Sequence, residues 1–125
     1  MDMKGAQTYK EQSINTMTQE ELLLLVYDEL VMRLHRSRLA LDKEDMGLFE
    51  SSVDRCIAIV RYLDDTLDRR YPISNELHRL YDFFSYELNR VKIGRNRKEL
   101  ERISPMLSDL RDTFRTAAKN CAEGK

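Results

Sequence analysis

The chain of 125 residues predicts an all-α fold, an antiparallel up-down four-helix bundle with a short mobile N-terminal arm. Three observations carry that prediction. Apolar residues recur at alternating spacings of four and three along four separate segments, which lines one stripe of side chains along each helix. No segment alternates with a period of two, as a half-buried strand would. The breaks between segments are short, and short links force neighbouring helices to run antiparallel.

Residues 1–17 lack an apolar repeat and form the expected arm, leaving residues 18–125 for the bundle. At the start of the first helix Thr18 is the expected cap, with Glu21 reaching back and Met17 stapled onto Leu22. Its stripe runs Leu23, Tyr27, Leu30, Leu34, Ser37 and Leu41. A break from Asp42 to Gly47 leads to the second stripe of Phe49, Val53, Cys56, Val60, Leu63 and Leu67, which Tyr71-Pro72 should end. Ser74 is the expected cap of the third helix, whose stripe is Leu77, Tyr81, Phe84, Leu88 and Val91, and Gly94 should supply the permissive backbone at its end. Asn96 opens the fourth, with Leu100, Ile103, Leu107, Leu110, Phe114, Ala117 and Cys121 on its stripe. Pro105 removes the donor that would reach Glu101, so a kink, or a restart capped by Ser104, is expected there.

Composition narrows the function. Twenty-one basic and 22 acidic side chains nearly cancel, so no global field draws nucleic acid or anionic lipid. The clusters at Arg69-Arg70 and from Arg90 to Lys98 are diluted by nearby acids. The first ten residues are polar and no apolar run reaches the length of a membrane span, so the expectation is a cytoplasmic protein without stable membrane insertion. Cys56 and Cys121 fall on stripes and read as small core residues.

Chemistry-bearing patterns are sparse. A dimetal bundle needs Glu-x-x-His pairs, but His35 follows Met32 and His78 follows Asn75 at that spacing. The four glycines are isolated, so no loop cradles a phosphate, and two histidines on different helices offer no base for a serine or cysteine nucleophile. No enzyme activity, metal or cofactor is expected. An alternative reading makes His35, set among Arg33, Arg36 and Arg38, the acceptor of a histidine phosphotransfer module, and another makes the chain a homodimeric helical adaptor.

Against this background the informative feature is surplus apolar surface. Leu22 to Tyr27 is apolar all round its helix, and such a helix is buried on every side or partnered. Ile57, Ile59 and Tyr62 overflow the second stripe, and Leu80, Phe83 and Tyr86 the third. Together they predict apolar grooves that receive an amphipathic helix or an extended peptide.

The order of Tyr9, Ile14, Thr16, Glu20-Glu21-Leu22, Tyr27-Asp28, Tyr81-Asp82 and Phe114 along nearly the whole chain resembles the FliS family of flagellar secretion chaperones. Tyr9, Ile14 and Thr16, then Glu20-Glu21-Leu22 and Leu25-Val26-Tyr27-Asp28, resemble the family's N-terminal pattern. Leu80-Tyr81-Asp82-Phe83, and Leu110-Arg111-Asp112 followed by Phe114, match later family positions. The chain departs from the pattern at Thr18-Gln19 (usually Ser-Pro), Glu29 (glycine), Tyr71 to Ser74 (glycine-rich) and Phe114 (often tryptophan).

The resemblance implies a bundle that binds the disordered C-terminal segment of flagellin in the cytosol. It would prevent premature polymerisation and pass its cargo to a flagellar export gate component. With the apolar surplus, it singles out Tyr9, Ile14, Leu22, Leu25, Val26, Tyr27, Ile57, Leu80 and Phe83 as client-binding residues on a monomer or weak dimer. Tyr9 and Ile14 are expected to lie over an empty groove and to move when cargo arrives.

Overall fold

The computed structural model describes residues 17–122 of the chain, with the side chains of residues 17–120. Four helices follow one another: α1 (Gln19–Asp42), α2 (Met46–Asp65), α3 (Ile73–Gly94) and α4 (Arg97–Ala122). They pack as a closed ring in chain order, α1 on α2, α2 on α3, α3 on α4 and α4 back on α1, with α3 and α4 approaching least closely. The all-α, up-down expectation therefore holds. The arm, with Tyr9 and Ile14, and the side chain of Cys121 lie outside the described residues.

Local chemistry sets the helix ends. The Glu21 amide donates to Thr18 Oγ1 at 3.1 Å, so Thr18 caps α1 as its sequence position predicts. Asp45 caps α2 by accepting from the Leu48 amide at 3.1 Å, which starts that helix one residue before Gly47. Thr66 follows the end of α2, and Leu67, expected on the helix, instead packs part-buried against the core from the connection that follows.

Three expectations need correction. Ser74 does not cap α3: Pro72 already holds helical angles, since a proline in the first turn forfeits only an amide with no helical partner there. Ser74 thus falls inside the helix, where its hydroxyl is buried without a partner. Gly94 remains helical, and Arg95 takes the left-handed conformation (φ 49°), its amide bonded to the Val91 carbonyl. The fourth helix does not restart at Pro105. It runs unbroken through the proline, and Ser104 Oγ donates back to the Leu100 carbonyl at 2.6 Å instead of capping a new segment. Asn96 opens α4 as expected, its side chain accepting from the Glu99 amide at 3.1 Å.

The stripes meet in one core. Tyr27, Leu30 and Leu34 from α1, Phe49, Val53, Cys56 and Val60 from α2, Tyr81, Phe84 and Leu88 from α3, and Leu100, Ile103 and Leu107 from α4 are all buried. Tyr27 stacks on Phe114 with ring centroids 5.1 Å apart, and its hydroxyl meets that of Tyr81 at 2.5 Å, a buried bond joining α1 to α3. Charged pairs stitch the rim: Asp28 to Arg115 and Asp42 to Arg97 between α1 and α4, and Asp54 to Lys92 between α2 and α3. Glu87, almost fully buried, is held by Arg90 on its own helix and by Arg102 of α4 at 3.2 and 3.4 Å.

Candidate functional site

The run Leu22 to Tyr27 is too apolar for one face, and the helix distributes it to three places. Tyr27 points into the core and has no exposed surface, so this sequence candidate is a core residue and not part of an open surface. Leu25 and Val26 face the seam between α1 and α2. There, with Glu29 of α1 and Arg55, Ala58, Ile59 and Tyr62 of α2, they line a groove of 580 Å³. Leu23 and Leu24 face the opposite seam, where Glu20, Phe114, Ala117 and Ala118 complete a second apolar groove of 250 Å³ between the first turns of α1 and the last of α4. Leu22 is half-buried and lines neither.

The α1–α2 groove has an apolar floor and a charged rim. Leu25 is 41% exposed and Tyr62 42%, large apolar side chains that packing within the chain leaves uncovered. Their charged neighbours differ in commitment: Arg33 Nε binds Glu29 Oε1 at 2.8 Å, whereas Arg55 is exposed at the rim. Such a trough has the form that takes the apolar face of a helix or alternate side chains of a strand, with charged groups to fix direction.

The other sequence candidates lie elsewhere. Ile57, Leu80 and Phe83 are partly buried and pack against the core margin, outside the lining of either groove. The Phe83 ring is covered by the Arg102 guanidinium at 5.7 Å, so the arginine shields part of that surplus. Ala58, Leu23, Leu24, Ala117 and Ala118 are groove residues absent from the sequence candidates. The stripe rule assigned Leu23 and Ala117 to the core, and alanines carry too little apolar signal to stand out.

His35 is exposed at a third cleft, of 260 Å³, lined also by Arg38, Glu101, Ser104 and Pro105. The Glu101 carboxylate shares that cleft and is bound by Arg97. Cys56 is buried beside Ser37, and burial pushes its thiol up to about 12, so it stays protonated and unreactive. Burial likewise raises Tyr27 and Tyr81 above the usual phenol range. Among the described residues no helix is long and apolar enough to cross a membrane.

An all-helical bundle that carries apolar troughs on both flanks of one helix has the kind of surface on which a binding protein seats a helix or an extended segment of another chain. The sequence profile of the family described as "Flagellar protein FliS" matches residues 2–121. The chain belongs to the FliS family, a chaperone family and not an enzyme family. It is 24% identical over 112 residues to the Flagellar secretion chaperone FliS of Bacillus subtilis (strain 168), an alignment covering 90% of this chain and 84% of that one. The fold is similar to that in the crystal structure of a flagellar chaperone from bacteria, with a TM-score of 0.76 at 22% identity over 96% of this chain and 99% of the other.

Proposed function

We propose that this chain binds the disordered C-terminal segment of flagellin, keeps it from polymerising prematurely, and supports its delivery to the flagellar export gate. The observation that carries the reading is the α1–α2 groove, where Leu25 and Tyr62 stay well exposed beside half-buried Val26 and leave apolar surface that intramolecular packing does not consume. Membership of a secretion chaperone family supports flagellin as the client. The physics agrees. A disordered segment gains by folding an amphipathic helix into such a trough, while the entropy lost on ordering keeps the affinity low enough for release. The α1–α4 groove, with Leu23, Leu24 and Phe114, offers the same wrapping client a second foothold on the other side of α1.

Calorimetry with the full chain and a flagellin C-terminal peptide tests this. Saturable binding is expected, weakened about tenfold or more by Leu25→Asp, equivalent to about 1.4 kcal/mol. Because Leu25 is well exposed, the variant should keep its helical circular dichroism and its melting temperature. Absence of peptide binding, or undiminished binding by the folded variant, contradicts the proposal.

A further inference from the structure

Where α2 ends beside α3, three side chains form an arrangement that client binding does not use. His78 and Asp82 stand one turn apart on α3, and Asp64 reaches them from the last turn of α2. None of the three lines either apolar groove. Asp64 Oδ1 lies 2.7 Å from His78 Nδ1, so in the neutral ring Nδ1–H donates to the carboxylate and Nε2 is left with its lone pair. That lone pair has Asp82 Oδ2 beside it at 3.3 Å. A cation held between these two acceptors, whether a proton on Nε2 or a metal ion, would satisfy both.

We propose that this cation is a divalent transition-metal ion of the zinc class, bound by His78 Nε2 and the Asp82 carboxylate, with water completing the shell and Asp64 orienting the imidazole. The spacing fits. Two ligands each about 2.0–2.1 Å from a tetrahedral ion stand about 3.3 Å apart, which is the Nε2 to Oδ2 separation observed. An imidazole ligand favours zinc, nickel or copper over magnesium or calcium. Asp64 takes the outer position of a carboxylate–histidine–metal chain, which fixes the tautomer and raises the basicity of the ligand nitrogen. The Arg69 guanidinium, 3.9 Å from the same Asp64 oxygen, neutralises that carboxylate and suits it to the orienting role. A proton on Nε2 is the competing cation, and the experiment separates the two.

Metal-free full-length chain is titrated with zinc chloride by calorimetry, with long-range proton–nitrogen spectra of the histidine rings recorded in parallel. One saturable zinc equivalent is expected. Binding should weaken at least about tenfold in His78→Ala and in Asp82→Asn, and about 10- to 100-fold in Asp64→Asn through loss of the outer carboxylate. His35→Ala and Cys121→Ser should bind as the parent does. The ring spectra should show Nδ1 protonated and Nε2 shifted by the metal, with that tautomer preference lost in Asp64→Asn. Absence of saturable binding means the pair is closed by a proton alone and overturns the proposal. So does equal affinity in His78→Ala, or metal on Nδ1.

Discussion

Tyr27 and Tyr81 meet hydroxyl to hydroxyl at the centre of the bundle, where neither has water to replace a lost partner. Tyr27→Phe should therefore cost about 1–3 kcal/mol, the penalty of leaving the Tyr81 hydroxyl buried and unpaired, whereas the double change to phenylalanine should cost much less. Urea unfolding of the three variants measures both. Cys56 makes a second residue-scale prediction. Burial favours its protonated form in the folded state, so the stability it contributes is complete below about pH 9 and is lost as pH rises toward about 12. In a Cys121→Ser background a thiol reagent at pH 8 should leave native Cys56 unmodified and label it fully once urea has unfolded the chain. Rapid labelling of the native protein would contradict its burial. Membership of the core was legible for Cys56 and Tyr27 because both sit on a stripe. Tyr27 was nonetheless counted with Leu25 and Val26 as client surface, because a continuous apolar run contains every direction around the axis, and only the neighbouring helices decide which direction is filled.

At the scale of the element, the end of α3 retains strain and the middle of α4 lacks one amide donor. Arg95 holds a left-handed conformation that costs a residue with a Cβ about 1–2 kcal/mol, while Gly94 spends its freedom inside a helix. Gly94→Ala and Arg95→Gly together should stabilise the protein by about 1–2 kcal/mol, because a Cβ at Gly94 meets only ordinary contact with Asn96 and glycine relieves the left-handed residue. A rise in melting temperature checks this, and a fall would show that the turn needs Arg95 for another reason. Helix existence and order were legible because each segment repeats its spacing for about four turns or more. Ends were less so: glycine was given the left-handed position on preference alone, and the structure places that position one residue later. Pro105 is tolerated because α4 holds itself together on the Leu100, Ile103 and Leu107 side, where burial outweighs one missing hydrogen bond.

For the whole molecule, the ring of helices leaves the two sides of α1 unequal in use. The face toward the core is consumed, while the flanks toward α2 and α4 carry troughs floored by Leu25, Val26 and Ile59 on one side and by Leu23, Leu24 and Phe114 on the other. The surplus at Leu22 to Tyr27 announced that such surface exists. Its location was not legible, since a groove is made by two helices and its alanines, Ala58, Ala117 and Ala118, are silent in a single-chain pattern. At Phe83 the reverse occurred: an aromatic that the pattern marked as surplus is partly covered by Arg102.

Amide hydrogen exchange of the full chain, with and without a saturating flagellin C-terminal segment, tests the account most directly. It predicts slowed exchange concentrated in residues 21–30 of α1 and 55–62 of α2, with smaller protection near Phe114, and none in the Leu25→Asp variant. A bound segment that leaves those stretches unchanged and protects another face of the bundle would contradict it.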